Sequence, residues 1–282
     1  MAILYLVSTP IGNLEDLSER ARRILGEVDH VAAEDTRHTG RLLQRLEIDT
    51  DLISLHRHNE AERVHLLTQW LDAGEAIALV SDAGTPLVSD PGARLVRAVR
   101  EAGHTVVPVP GPSAVLAALT ASGLPSERFT FLGFLPRKGR DREALLRRVA
   151  LSRETTILFE SPERTVALLG ALVAACGADR EASVAREMTK RHEEIRTGTL
   201  VELLNYYEAS GVRGEVTLSV APADDDARAP DTSEAPAEAA RLVAGGMKPS
   251  AAAREITRRF GIPRGTAYDI VQEAGRSGDQ EE

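Results

Sequence analysis

The sequence predicts an α/β protein with two α/β domains and a small helical C-terminal domain on a flexible linker. Short apolar runs alternate with stretches of helical periodicity over the first two-thirds of the chain, which is typical of βαβ units. Three of the runs end in loops rich in glycine and proline, and a polar segment precedes the last helical stretches. These features indicate two layered units followed by a tether and a tail.

The first predicted domain spans residues 1–120 and contains five short strands. Apolar runs mark these strands at Ile3–Val7, Val31–Ala33, Leu52–Leu55, Ala76–Val80 and Thr105–Val109. Between them, apolar residues recur at helical spacing. The alternation predicts a largely parallel sheet covered by helices on both faces. Ala76–Val80 is continuously apolar, as expected of a strand that is buried on both faces.

The second predicted domain spans residues 121–222, after a change of composition near Gly123-Leu124-Pro125. Its predicted strands are Phe129–Phe134, Thr156–Phe159, Ala182–Ala185 and Glu215–Val220. In the last of these, Val216, Leu218 and Val220 alternate with polar residues, which predicts a half-exposed antiparallel strand. Predicted helices at Leu145–Val149, Val166–Val173 and Leu200–Tyr207 complete an α/β domain with a mixed sheet.

Residues 223–237 predict a flexible linker, because they contain no Leu, Ile, Val or aromatic side chain that could be buried. Residues 238–282 predict a helical tail. Ser250 is expected to cap its second helix, Gly261-Ile262-Pro263 to end that helix, and Thr266–Ala274 to form the third. Two helices, a short turn and a third helix outline a helix-turn-helix.

Composition excludes several classes of function. The 282 residues include 34 Lys and Arg against 43 Asp and Glu, so the net charge is −9 and any nucleic-acid contact must come from local basic patches. The single cysteine, Cys176, excludes a disulfide framework. No apolar run is long enough to span a bilayer, and the N-terminus does not resemble a signal peptide. We therefore expect a cytoplasmic protein without a membrane partner.

Three glycine- and proline-rich loops follow predicted strands of the first domain: Ser8–Asn13, Ser81–Pro86 and Pro108–Ala114. The carboxyl ends of parallel strands are where open α/β sheets bind ligands. Simple turns are the alternative interpretation, although three such loops at strand ends favour a binding crevice. The chain contains neither G-x-G-x-x-G nor a P-loop motif, so the backbone arrangement differs from the usual nucleotide sites.

Nine segments in a fixed order carry a resemblance to a known family. They are LVSTPIGNLEDLSERA, AEDTRHTGRLL, SLHRHNE, ALVSDAGTPLVSDPG, VPGPSAVLAAL, FLGFLPRKG, LFESPERT, VAREMTKRHEE and RGEVTL. The chain resembles the bacterial cytidine-2′-O-methyltransferases of small-subunit (16S) ribosomal RNA, which belong to the tetrapyrrole methylase superfamily. The resemblance covers about residues 3–221, and the tail is similar to the extra C-terminal domain of these enzymes.

The resemblance implies a tetrapyrrole methylase fold whose two domains hold S-adenosylmethionine in the cleft between them. Matching motifs place the cofactor-binding residues at Pro10, Gly84, Thr85, Pro86, Ser89, Ser113, Ala114, Phe159, Ser161, Ala185 and Gly214. The family also implies a homodimer and a substrate in the small ribosomal subunit. Methyl transfer needs no metal, and no metal-binding motif is present.

The ribose hydroxyl needs a group that takes its proton. We expect Glu187 or Lys190 to do this, with Asp35 as the second choice. Each lies in a polar cluster that has a simpler explanation: helix capping for Asp35 and Thr36, and a solvated turn for residues 186–194. The clusters at residues 56–60 and 213–215 could also supply such a group, with a capped surface loop and a β-turn as the simpler explanations.

Two basic segments are candidates for binding RNA phosphates. The residues predicted to bind RNA are Arg37, Arg41, Arg137, Lys138, Arg140 and Arg142. Arg37, Arg41 and Arg45 share one helix face, and a solvated face is the alternative. Two further functions stay open: methylation of a small tetrapyrrole precursor, and DNA-binding regulation by a degenerate methylase core.

Overall fold

The computed structural model describes residues 2–223, 234–245, 247–260 and 264–278. The chain divides into two compact units, Met1–Ala223 and Asp224–Glu282. The first unit contains two five-stranded sheets, and the described residues of the second form three helices. No helix among the described residues is long and apolar enough to cross a membrane.

The first sheet is entirely parallel, as predicted. Its strands are β1 Ile3–Val7, β2 His30–Ala33, β3 Asp51–Ser54, β4 Ile77–Val80 and β5 Thr105–Val109. Their order is β3-β2-β4-β1-β5, so the long apolar run of β4 lies inside the sheet and is buried on both faces. Five helices connect and cover these strands: α1 Glu19–Glu27, α2 Thr36–Leu46, α3 Glu60–Asp72, α4 Ala93–Glu101 and α5 Ala114–Ser122. The predicted domain boundary at residue 120 falls inside α5.

The second sheet is mixed, as predicted. Its strands are β6 Phe129–Phe134, β7 Thr155–Glu160, β8 Glu181–Arg186, β9 Glu194–Thr199 and β10 Val216–Val220, in the order β6-β7-β10-β8-β9. Only β6 and β7 pair in parallel. Helices α6 Arg140–Leu151, α7 Pro162–Cys176 and α8 Leu200–Ser210 cover one face. The sequence did not reveal β9, because its exposed edge position tolerates the polar residues EIRTGT.

The prediction of a half-exposed last strand was wrong, since every residue of β10 is buried. Val216, Leu218 and Val220 pack into the core formed with α7 and α8. The small polar residues Thr217 and Ser219 are also covered, because α5 packs against β10 and closes the other face of the second sheet. Helix α5 therefore connects the two sheets.

The second unit consists of α9 Ala235–Ala244, α10 Pro249–Phe260 and α11 Arg264–Gly278. Its core is built from small side chains, among them Ala239, Ala253 and Ala267, around Ile256 and Val271. Two predictions need correction. Helix α9 begins within the predicted linker, because Ala235 packs in this core; and Ser250 is not a cap, because α10 already begins at Pro249. Residues 224–233 of the linker and the stop at 261–263 lie outside the described residues.

Candidate active site

A cleft of about 450 Å³ lies between the carboxyl ends of the first sheet and the second sheet. Eight of the eleven predicted cofactor residues line it: Gly84, Thr85, Ser89, Ser113, Ala114, Phe159, Ser161 and Gly214. The volume is in the range of small-molecule sites, which is about 300–1,000 Å³. The loops after β1, β4 and β5 therefore meet at one cleft, as the strand-end argument predicts.

Hydrogen bonds join these loops into one rigid wall. The backbones of Thr9 and Gly84 pair in both directions, at 2.9 and 3.0 Å. The Thr85 hydroxyl donates to the Pro112 carbonyl at 3.2 Å. Gly84 adopts φ +82°, a left-handed conformation in which a side chain would be strained. The glycine and proline content thus shapes the cleft.

Three predicted cofactor residues do not line the cleft. Pro10 lies in an adjoining pocket, and Pro86 lines an apolar surface pocket. Ala185 is buried on β8, where it packs with Ile11 and Met188. Matching motifs placed these three residues among the cofactor-binding residues. In the structure they lie in neighbouring pockets or in the core.

One wall of the cleft is acidic. Glu34, Asp82 and Asp90 face it, and their neighbours are Arg57 and His56. Burial, together with the charges of Glu34 and Asp82, raises the pKa of Asp90 to about 6. Burial and the charge of Asp82 also raise the pKa of Glu34. A bound positive charge would relieve this repulsion.

A compact ion cluster forms at one end of the cleft. The Lys190 ammonium donates to Glu187 Oε1 at 2.7 Å and to Glu215 Oε2 at 2.9 Å. Burial lowers the pKa of Lys190, but hydrogen bonds to Glu187 and Glu215 outweigh burial and raise the pKa overall. The pKa of Glu187 is lowered by the same hydrogen bond from Lys190 and by a second one that the backbone N–H of Glu215 donates. Lys190 is therefore an ammonium, and Glu187 a carboxylate, at neutral pH.

Two glycines make room for this cluster. A Cβ at Gly12 would overlap Lys190 Cγ, and a Cβ at Gly214 would overlap the carboxyl group of Glu187. Glu187 and Thr189 themselves adopt left-handed backbone conformations, with φ +50° and +66°. Such strain in residues other than glycine often marks functional sites.

A second pocket of about 310 Å³, here named the α2 pocket, adjoins the cleft. Helix α2 contributes three basic residues to its lining, His38, Arg41 and Arg45. The ion cluster contributes Lys190 and Glu215, and Pro10, Leu14 and Leu42 add apolar surface. Ile11, Asp82, Ala83 and Glu215 line both the cleft and the α2 pocket. The two spaces therefore adjoin along these four residues.

Asp35 and Arg37 lie outside both spaces. The Asp35 carboxylate caps α2 by accepting from the Arg37 N–H at 2.8 Å, and it also pairs with the Arg37 guanidinium. Hydrogen bonds from the Arg37 backbone and side chain lower the pKa of Asp35. The simpler explanation, helix capping, thus describes Asp35 in the structure.

The basic segment at the start of α6 lines neither the cleft nor the α2 pocket. Arg137, Lys138 and Arg140 are exposed. Arg142 is partly buried and donates to the Pro136 carbonyl at 3.1 Å, so it braces its own loop. Of the two predicted basic patches, only the one on α2 contributes residues to the site.

Four charged residues that line the site were not predicted as site residues: Glu34, Asp82, Asp90 and Glu215. Glu34 and Glu215 lie in the polar clusters that the sequence offered as candidates, whereas Asp82 and Asp90 lie in none of them. Asp82 and Asp90 lie in the SDAGTPLVSDPG loop, which was interpreted through its glycines and prolines. Their position directly after a buried parallel strand is the signal that could have identified them. Within the described residues, no group of His, Cys, Asp and Glu is arranged to hold a metal.

Residues 3–204 match the family of tetrapyrrole (corrin/porphyrin) methylases, and the chain belongs to this family. A solved uroporphyrin-III C-methyltransferase from Thermus thermophilus, described as complexed with S-adenyl homocysteine, has the same fold. It is 21% identical, with a TM-score of 0.55, over 77% of this chain and 96% of that one.

Within this class, the chain is most informatively compared with the proteins named ribosomal RNA small subunit methyltransferase I. One from Synechocystis is 45% identical over 99% of this chain and 100% of its own length. Another, from Vibrio cholerae, is 49% identical over 77% of this chain and 76% of its own length. The chain therefore belongs to the family of these methyltransferases.

Proposed function

We propose that this protein transfers a methyl group from S-adenosylmethionine to the 2′-oxygen of a cytidine in 16S ribosomal RNA of the small subunit. The observation that carries this proposal is that the cleft adjoins the basic α2 pocket where Lys190 and Glu215 lie, with Glu215 in the lining of both. A methyl donor and a polyanionic acceptor can meet there. Relatives named for ribosomal RNA methylation support the choice of acceptor.

The residues of the cleft fit S-adenosylmethionine. Val88, Phe134 and Phe159 offer apolar surface, and Ser113, the N-cap of α5, lines the cleft. The acidic wall of Glu34, Asp82 and Asp90 suits a positively charged ligand. When bound, S-adenosylmethionine supplies a methyl group on a positively charged sulfur. The eight lining residues named above would hold it, while Pro10, Pro86 and Ala185 would shape the cleft from outside.

The ion cluster would handle the charge of the reacting hydroxyl. As the oxygen–methyl bond forms and the methyl–sulfur bond breaks, the hydroxyl proton must leave. Lys190 already carries its full complement of protons, so it would stabilise the developing negative charge on the oxygen. Glu215 borders both spaces and would accept the proton, while Glu187 would hold Lys190 in place.

The competing functions receive less support. The tetrapyrrole alternative shares the scaffold, since fold does not fix function. The relatives that cover most of this chain are named for ribosomal RNA methylation, which favours RNA as the acceptor. In the helical unit, Arg241 pairs with Glu238 and Arg258 pairs with Glu255, so two of its cations are already neutralised. This pairing disfavours a DNA-binding regulator.

We also propose that the protein works as a homodimer in the cytoplasm. Strand β5 is an edge of the first sheet, and an apolar pocket of about 540 Å³ beside it is lined by Leu87, Val88, Pro108 and Leu116. Leu116 is 51% exposed. A second copy would cover this surface, and sedimentation of the full chain measures whether it does.

A transfer assay tests the proposed function. The protein is incubated with labelled S-adenosylmethionine and one of three acceptors: small subunits that lack the modification, a tetrapyrrole precursor, or promoter-length DNA. We expect label only in the subunits, at a ribose whose 3′ linkage resists alkaline cleavage. Label in the tetrapyrrole, or none in any acceptor although the protein is folded, would contradict the proposal.

A further inference from the structure

We propose that the α2 pocket receives a single unstacked nucleotide of the RNA, with Arg41 and Arg45 holding its phosphates and its ribose turned toward Glu215. This inference rests on the proposed function and specifies how the acceptor enters. It assigns the reacting nucleotide to α2 and not to the other basic segment, at the start of α6.

The charge of the α2 pocket favours a phosphate ligand. Arg41 and Arg45 are four residues apart on α2, so both guanidinium groups lie on one face. Neither side chain has a hydrogen bond or an ion pair with any other described residue. The Lys190 ammonium, in contrast, is balanced by Glu187 and Glu215. The uncompensated positive charge of the pocket therefore comes from α2, and guanidinium groups bind phosphate in a bidentate manner.

The size of the α2 pocket limits what can enter it. About 310 Å³ is at the lower end of the range for small-molecule sites. It can hold one nucleotide but not a base-paired helix. Sequence-specific recognition of RNA mostly uses unpaired bases that are splayed out of the stack. Leu14 and Leu42 provide apolar surface for such a base.

The position of the α2 pocket orients the nucleotide. Asp82, Ala83 and Glu215 belong to both spaces, so a group at this junction borders the methyl donor. Phosphates held by Arg41 and Arg45 would lie on the far side, along α2. A ribose between them would therefore face the ion cluster, where the 2′-hydroxyl loses its proton.

A double variant tests the charge argument in the full-length protein. Arg41→Gln with Arg45→Gln is compared with Arg97→Gln with Arg100→Gln, two exposed arginines of α4 that line neither space. For the first pair, we expect KM for unmodified subunits to rise at least ~10-fold. We also expect the slope of log affinity against log salt to fall by about 1.4 to 1.8 for two lost phosphate contacts. Calorimetry with S-adenosylhomocysteine should show unchanged affinity.

A second variant tests the volume argument without changing charge. Leu42→Trp should fill the α2 pocket and abolish most turnover, while the salt slope stays near the wild-type value. Wild-type KM and salt slope in the Arg41/Arg45 double variant, or normal turnover of Leu42→Trp, would overturn the inference. Weaker binding of a tetrapyrrole precursor, with RNA binding intact, would also overturn it. The proposed function fails separately, if the wild-type protein does not methylate subunits at all.

Discussion

The cleft and the α2 pocket adjoin but carry opposite charge. The cleft has the carboxyl groups of Glu34 and Asp90 on one wall, and the α2 pocket has the guanidinium groups of Arg41 and Arg45. The difference suits a reaction between a positively charged donor and a polyanionic acceptor, because each space repels the other's ligand. The Lys190 ion cluster lies where the two fields meet. The net charge of −9 for the whole chain does not reveal this local separation of acidic and basic residues.

The largest effect is expected from a substitution that disturbs the junction of the two spaces. Gly214→Ala places a Cβ against the Glu187 carboxyl group and should displace Glu187 from Lys190. We expect turnover to fall by about 10²-fold or more, because misplacement of about 1 Å at a reacting centre has effects of this size. Single-turnover methyl transfer measures the rate.

Gly211→Ala is the matched control for Gly214→Ala. Both glycines have a positive φ, +69° and +81°, but no atom lies within 4 Å of a Cβ at Gly211. Both variants should therefore lose about 1–3 kcal/mol of stability from backbone strain. If both lose turnover equally, backbone strain and not the ion cluster explains the loss.

An intermediate effect is expected from neutralising the acidic wall. Asp90→Asn should weaken binding of S-adenosylmethionine by about 5- to 10-fold, one pKa unit being worth a factor of ten. Binding of S-adenosylhomocysteine, the product, whose sulfur carries no charge, should change less. In the wild type, the preference for the donor should decline as pH falls through 6, since Asp90 then takes up a proton. Calorimetry between pH 5 and 8 measures the affinities for both ligands. An equal loss of affinity for both would refute the electrostatic explanation.

The same variant has an opposite effect on the stability of the free protein. The pKa of Asp90 is raised from 3.8 to about 6, so the folded state binds the proton more tightly than the unfolded state does. Its stability therefore falls as pH rises from about 4 to 6 and is constant above that. After allowance for solvent screening, Asp90→Asn should raise Tm by about 2–4 °C at pH 7.5. At pH 4 the two proteins should melt alike.

The smallest effect is expected at Asp35. Its carboxylate caps α2 and lies outside both spaces, and asparagine is an equally good cap. Asp35→Asn should therefore keep turnover within about 3-fold of the wild type, with unchanged KM for subunits. A fall of ~100-fold in kcat would return Asp35 to the role of proton acceptor and remove that role from Glu215.

The sequence predicted the architecture well because the relevant signals are local. The apolar runs of β1, β4 and β5 and the loops that follow them identified the parallel sheet and the cleft. The strand β9 and the full burial of β10 were not predicted. The burial of β10 depends on α5 packing across from the other half of the unit, and no periodicity within β10 contains that information.

The candidate site was predicted only in part, for a similar reason. Glu187 and Lys190 are close in sequence, but the pKa of Lys190 is raised by Glu187 together with Glu215, which is 25 residues away. Asp82 and Asp90 become an acidic wall only because Glu34 joins them from a different strand end. Arg37 and Arg41 were equivalent in sequence, and the pairing of Arg37 with Asp35 separates them in the structure.

The most direct test of the central claim is the single-turnover rate of methyl transfer by Lys190→Met, at saturating S-adenosylmethionine and saturating unmodified subunits. Methionine keeps the Cγ that lies over Gly12 and an unbranched side chain one atom shorter than lysine, but it removes the ammonium. The account predicts a rate about 10²- to 10³-fold below the wild type, with the affinities for donor and subunits each within ~3-fold. An unchanged rate at normal affinities would contradict the claim that methyl transfer takes place at the junction of the two pockets.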